Sequence, residues 1–410
     1  MTLGQGDVDS RELSPTEAVH TVPIVFDGRR GPLLRLVVVN SLLMIVTLSL
    51  YRFWAKTRLR RYFWSHVRIG TDRFEYVGLP SELVIGFLIV IASLTPALFV
   101  YASLDVFDDE GIWLLPWVLD VGYFVILYAL AQVAIFSAWR YRMSRTRWRA
   151  IRFGMDGSAW RFLCLAILWS VAVVAMIGMA YPYLRIALLR YRINHSWFGN
   201  GQFSFEGTAS ELFASWLCVL QIPAVAIIWG ALFHTEVGAM LITGYRVVPE
   251  SSLPILPGVL FLLGSPLGYA WYRVKELRYL VGHTRFGAAT FQSQASAGPV
   301  IGLILGVTGT FFILVAGGLF LLGLDGIDKV LGRLDVAFST WEVLGMVSIV
   351  VGVLLMPILA NVVLRFGILR HVCRSLTVAN IAVFDRVAQS ADKGPKRGEG
   401  LADALDVGTF

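Results

Sequence analysis

Trp54-Ala55-Lys56-Thr57-Arg58-Leu59-Arg60-Arg61-Tyr62-Phe63-Trp64-Ser65-His66-Val67-Arg68-Ile69-Gly70 opens as a cationic helix and closes as extended chain. Its skeleton is Arg-Tyr, three residues, His, two residues, Ile or Phe with Gly, three residues, Phe. The first copy is Arg61-Tyr62, His66, Ile69-Gly70, Phe74. It returns as Arg190-Tyr191, His195, Phe198-Gly199, Phe203 and as Arg278-Tyr279, His283, Phe286-Gly287, Phe291. A further frame, Arg140-Tyr141, Arg145, Trp148-Arg149, Phe153, exchanges the His and the Gly, and Arg370-His371 to Ser375 is a degraded copy. Such internal repetition decides the architecture before any single residue does.

Within the copy, Trp54, Arg58 and Arg61 fall at i, i+4 and i+7, one face of an amphipathic helix. Val67 to Ile69, a turn at Gly70, and Arg73 to Tyr76 then read as a β-hairpin. Asn200-Gly201 gives the same hairpin in the third frame a stronger turn signal. Hairpins alone are marginal in water, so several are expected to pair into one small sheet. The unit is helix, basic interfacial helix, hairpin, helix, with motifs near 54–78, 139–157, 183–207 and 271–292 and the degraded copy at 370–384.

Composition places these units at a membrane. Apolar residues make up 57% of the 410 and charged residues 15%, against roughly a quarter charged in soluble domains; mean hydropathy is +0.69. The net charge of +7 is clustered beside apolar runs, as in membrane-proximal surface facing anionic lipid. Nucleic acid is not an expected partner. Cys164, Cys218 and Cys373 stand apart without metal-ligand spacing, and their expected role is that of buried small hydrophobes. The polar start carries no cleavable signal peptide pattern.

The expected fold is a polytopic α-helical membrane protein with about 7–8 membrane segments and short cytoplasmic β-hairpins after basic interfacial helices. Apolar runs long enough to cross a ~30 Å core lie at 33–53, 82–104, 111–138, 160–183, 211–233, 253–272, 298–323 and 342–366. Residues 21–387 would form the membrane domain, flanked by disordered tails at 1–20 and 388–410. Eight simple crossings would split the Arg-rich motifs between two faces, against the bias of Lys and Arg to the cytoplasm. The split vanishes if 160–183 dips in and returns, leaving about seven crossings with the motifs and the C-terminus cytoplasmic. Segment 33–53, with Asn40-Ser41 at its middle, is a second candidate for re-entry.

Several stretches carry a family resemblance. They are Phe26-Asp27-Gly28 with Trp54-Ala55-Lys56 and Arg60-Arg61-Tyr62-Phe63, Arg145 to Gly154, and Ala180-Tyr181-Pro182 through His195 to Gly207. The chain resembles the YjgN family of bacterial inner-membrane proteins over residues 20–380. The resemblance implies a multi-pass inner-membrane protein and supplies no catalytic or binding residue. Arg52 and Ala150 depart from the usual pattern and soften the geometry of those turns.

His66, His195 and His283 share one repeat position. They would either converge to bind a metal or relay protons, or each cap its own helix against its own hairpin. Arg145 in the equivalent place favours capping, because it can hydrogen bond but cannot ligate a metal. Arg61-Tyr62, Arg140-Tyr141, Arg190-Tyr191 and Arg278-Tyr279 would either hold an anionic ligand or anchor to lipid headgroups. Asp120, with Gln132, Gln221 and Asn361, supplies a candidate polar path inside apolar spans. Alternatively, the long segment 111–138 slides until Asp120 is wet. Catalytic and cofactor fingerprints are not found. Two functions follow: permeation of a small solute along a polar path, or a non-transporting scaffold holding anionic lipid or a protein partner on Arg/Tyr faces.

Overall fold

The structure, a computed structural model, describes residues 21–88, 91, 92, 95, 115–234, 264–330 and 337–389. The tail 1–20 and residues 390–410 lie outside these. Ten short strands close into one antiparallel barrel in the order β1-β10-β9-β8-β7-β6-β5-β4-β3-β2. They are β1 Thr21–Phe26, β2 Val67–Ile69, β3 Asp72–Tyr76, β4 Thr146–Trp148, β5 Ile151–Met155, β6 Ser196–Phe198, β7 Gly201–Phe205, β8 Thr284–Phe286, β9 Ala289–Ser293 and β10 Leu376–Ala379.

The barrel overturns the expectation of a polytopic helical protein with 7–8 membrane segments. The hairpins are not separate appendages, and among the described residues three helices are long and apolar enough to cross a membrane: Val121–Ser144, Ala297–Gly323 and Thr340–Ser375. The physical reason is closure. A sheet with free edges exposes unpaired backbone groups, and β1, which carries no copy of the motif, pairs with both β2 and β10 and removes those edges.

The connections fix the arrangement of the helices. β1 leads through α1 (Arg30–Val46) and α2 (Arg52–Ser65) to β2, and β3 through helical residues 80–88 and α3 (Leu115–Ser144) to β4. β5 leads through α4 (Ala159–Ala175) and α5 (Tyr181–Asn194) to β6, and β7 through α6 (Ser210–His234) and α7 (Ser265–Gly282) to β8. β9 leads through α8 (Ala297–Val330), α9 (Thr340–Ile358), a π-helical turn Leu359–Arg365 and α10 (Phe366–Ser375) to β10. In each case the departing and returning strands are hydrogen-bonded neighbours. Every helical excursion therefore leaves and re-enters one rim. Segments 33–53 and 160–183 each contain a helix end and a turn, at 47–51 and 176–180, and the chain doubles back there.

The opposite rim is made of two-residue turns. Gly70, Gly199 and Gly287 each occupy the first turn position with φ of +62°, +56° and +55°, as a type II′ turn requires. At Gly199 an added Cβ would also lie 2.3 Å from the Ala388 carbonyl. The turn therefore begins at Gly199, while Gly201 already belongs to β7. In the copy that lacks the Gly, Arg149 and Ala150 both take positive φ, 51° and 59°, which is the type I′ pattern. The Arg149 side chain offsets that strain: Nε donates to Asp72 at 2.5 Å, Nη1 to Asp385 at 2.5 Å, and the guanidinium lies over Trp148.

Inside, Ile69, Trp148, Phe198, Phe286 and Val378 form one buried tier, with Phe74, Phe153, Phe203 and Phe291 packed against it. These are the Ile/Phe and final Phe positions of the repeated skeleton. A 3₁₀ helix, Ile381–Arg386, folds back and inserts Phe384. Its ring stacks on Phe286 at 4.7 Å and meets Trp148 edge-on at 5.3 Å. At its turn end the barrel is a packed core.

One expectation about packing changes. Cys164 and Cys218 are exposed and Cys373 alone of the three is buried. Of Gly302, Gly306, Gly309, Gly317 and Gly318, only Gly318 is held tightly, an added Cβ falling 2.7 Å from the Gly345 carbonyl, so α8 and α9 touch backbone to backbone there.

Candidate functional site

The repeated Arg, Tyr and His stand where the returning helices meet the barrel. His66, His195 and His283 follow directly on α2, α5 and α7. Each Nδ1 donates to the carbonyl four residues back, on Tyr62 (2.6 Å), Tyr191 (2.6 Å) and Tyr279 (2.9 Å). The three imidazoles cap three separate helices, and no cluster of three metal-capable side chains occurs among the described residues.

The tyrosines clamp outgoing helices to returning ones. Tyr62 Oη donates to the Arg29 carbonyl and accepts from the Arg29 N–H; Tyr191 makes the same pair with Ser158. Tyr279 accepts from Thr208 N–H. In the fifth copy His371 replaces the Tyr, its Nε2 lying 3.2 Å from Ser296 N and 3.0 Å from Ser296 O. Arg61 and Arg190 donate to the carbonyls of Gly78 and Gly207. Tyr141 and Arg145 instead share Glu82, at 2.6 and 2.5 Å. Arg140 Nε has no hydrogen-bond partner among the described residues, and no polar contact of Arg278 is described. The Arg-Tyr pairs thus face neighbouring chain rather than one another.

The polar residues expected inside the spans stand on three elements, α3, α6 and the π-helical turn. Asp120 lies in α3, but its side chain is outside the described residues. Gln132 is half-buried and Gln221 exposed. Asn361 is buried in the π-helical turn, donating to the Pro357 carbonyl and accepting from Arg365 at 3.0 Å.

A different set converges beneath the barrel. Glu276 on α7 is fully buried, its Oε1 accepting from Arg185 Nε of α5 at 2.9 Å and its Oε2 from Arg273. One turn from the barrel, Arg192 is 8% exposed. Its guanidinium lies over Trp139 at 5.0 Å, Nε has no hydrogen-bond partner, and no carboxylate pairs with it among the described residues. Burial first, then the like charges of Arg185 and Arg142, push Arg192 down to about 9; Glu276 acts the other way, and Arg273 adds to the repulsion. On the first and last excursions, Arg60 is buried and donates to Tyr76 Oη at 3.1 Å. Arg365 lines an apolar cavity of about 360 Å³ between Phe63, Phe74, Met143 and Phe153. A buried cation is costly unless paired, and around Arg192, among the described residues, the charges that act on it are Arg142, Arg185 and Arg273 against one carboxylate, Glu276. The arrangement suits an anion.

These residues had a legible signal that goes unused when only the Arg-Tyr frame is read. Eleven positions before the first residue of β2, β6, β8 and β10 stand Lys56, Arg185, Arg273 and Arg365. Seven residues on, two helical turns along the same face, Arg192 follows Arg185 and Phe63 follows Lys56.

The model of a family described as "Bacterial protein of unknown function (DUF898)" matches residues 21–404. Over 71 residues the chain is 32% identical to "Inner membrane protein YjgN" of Salmonella typhimurium, a stretch covering 17% of this chain and 18% of that protein. The match thus spans less than a fifth of the curated relative's length. No solved structure matches the chain.

Proposed function

The chain belongs to the DUF898 family of bacterial proteins of unknown function, as its resemblance to the YjgN family implies, and we propose that it is an inner-membrane protein that binds a small anion beneath its barrel and passes it between its helices. The observation that carries this reading is Arg192, a buried guanidinium among Arg142, Arg185 and Arg273 with Glu276 as the opposing charge. Preorganised buried donors without an anion are what an anion site needs before it is filled. Three helices suited to crossing a membrane and the name of the Salmonella relative support the location. The Arg-rich barrel rim favours a cytoplasmic barrel, since Lys and Arg gather on that side.

The route this reading assigns runs between helices, because the barrel is filled by Phe384 and its neighbours. Against a scaffold working through the Arg-Tyr faces stands the use of Arg61, Tyr62, Arg190 and Tyr191 in backbone hydrogen bonds. The test is anion flux into valinomycin-clamped proteoliposomes holding the full chain, offered nitrate, inorganic phosphate and succinate in turn. Wild-type protein carries at least one of them, and Arg192→Gln lowers that flux on the order of tenfold, the loss of about one charge-assisted contact. Absence of flux with all three, or equal flux in Arg192→Gln, contradicts the proposal.

A further inference from the structure

A second feature lies on the flank of the first excursion, apart from the central cations. α1 and α2 enclose a cavity of about 620 Å³ whose lining includes Arg35, Asn40 and Arg58. It adjoins a cavity of about 700 Å³ that shares Leu36 and Arg58 and reaches Arg61 and Tyr62. Asn40 is 2% exposed, and neither its Nδ2 nor its Oδ1 has a hydrogen-bond partner among the described residues. Leaving such an amide unsatisfied is destabilising, so the position calls for a polar group from outside the described chain. Arg35 and Arg58 are exposed, and no acidic residue lines the first cavity. We propose that this cleft binds the phosphate headgroup of an anionic glycerophospholipid, with Arg35 and Arg58 on the phosphate and the Asn40 amide donating to an ester carbonyl below it.

Depth supports a lipid rather than a soluble phosphate. The turn between α1 and α2 presents Val46, Leu48 and Leu50 outward, Leu48 being 89% exposed. Such an apolar tip is stable in hydrocarbon and not in water. At ~1.5 Å of helical rise per residue, Arg35 lies ~17–20 Å and Arg58 ~12–15 Å from that tip, and half of a ~30 Å hydrocarbon core is ~15 Å. The tip therefore reaches the middle of the bilayer while Arg35 stands at phosphate level, and the long Arg58 side chain, on the same cleft, extends outward from a deeper backbone position to meet it. Asn40, one to two turns deeper than Arg35, falls at ester level, and exposed Leu42 and Ile45 continue the surface along which acyl chains run.

The experiment is native mass spectrometry of the full chain released from nanodiscs of phosphatidylcholine with or without phosphatidylglycerol. Thermal unfolding is recorded in parallel. Wild-type protein retains one phosphatidylglycerol, and the Arg35→Gln/Arg58→Gln variant, without its two cations, retains on the order of tenfold less or lower still. The charge-keeping Arg35→Lys/Arg58→Lys variant restores most of the retention. Asn40→Leu, close in volume, also retains less lipid while unfolding at the same temperature or higher, because the orphaned amide is gone. In a separate arm, inorganic phosphate and glycerol 3-phosphate are added to protein in detergent, and neither is retained. Equal retention in the Gln pair and in Asn40→Leu would overturn the site. Retention of glycerol 3-phosphate at the level of the lipid would overturn the lipid as its occupant.

Discussion

Glu276→Ala lowers stability by roughly 3–5 kcal/mol, the range for removing one partner of a buried ion pair. The carboxylate is fully buried and its two oxygens are divided between Arg185 on α5 and Arg273 on the preceding turn of α7. Alanine leaves Arg185 without its opposing charge and removes the carboxylate that moderates Arg192. Most of the cost is the stranded cation rather than the lost contact. Replacing both Glu276 and Arg185 with Leu therefore recovers much of the loss, since a well-packed apolar pair can match a buried ion pair. Thermal unfolding of the two single variants and the double variant in detergent measures the coupling. Additive losses would show that the pair does not tie α5 to α7.

Phe384→Ala costs about 3–5 kcal/mol, the usual loss for deleting a buried aromatic. The ring closes the turn rim, stacked on Phe286 and edge-on to Trp148 and Phe198. Its neighbour Asp385 holds Arg149. The same change loosens residues 381–389, where Ala388 N bonds Asn200 and Gln389 accepts from Arg152 N, so limited trypsin digestion cuts faster at Arg386. Phe384→Leu, nearer in volume, stays within about 1.5 kcal/mol of wild type. An Ala variant as stable and as protease-resistant as wild type would mean that the barrel core forms without its plug.

The repeated unit was legible in sequence because its spacing carries a backbone requirement. Gly70, Gly199 and Gly287 mark turns needing positive φ, and the Phe three residues beyond the following position marks the inward face. Closure was not legible. β1 and β10 lie at opposite ends of the described chain, and each looks like an ordinary short apolar strand. Pairing Val22 with Val378 is a property of the assembled ring. The membrane count failed for a related reason: hydropathy alone reads 33–53 and 160–183 as continuous runs, and although charge bias and Asn40-Ser41 pointed to re-entry there, the reversals themselves lie in the positive φ of Leu48, Ser49 and Ile177. At the candidate site, Arg-Tyr pairs and His drew notice as repeated spacing within the chain, and His66, His195, His283, Arg61, Tyr62, Arg190, Tyr191 and Tyr279 contact backbone, while Tyr141 turns to Glu82. Glu276 breaks the repeat, standing where the other copies have Leu59, Ala138 and Leu188, and Arg192 has its counterpart only in Arg142, so the shared frame points to neither.

The closed barrel is tested most directly by Pro23→Cys with Thr377→Cys in a chain whose Cys164, Cys218 and Cys373 have been replaced by Ala. These residues are register partners across β1 and β10, at the close Cα approach that a disulfide needs. Arg68→Cys with Arg73→Cys, partners within one hairpin, is the control. The closed barrel predicts that both pairs cross-link in the native membrane, the first as a reducible shift in gel mobility. Cross-linking of the hairpin pair without the 23–377 pair would contradict closure and leave the hairpins as separate units.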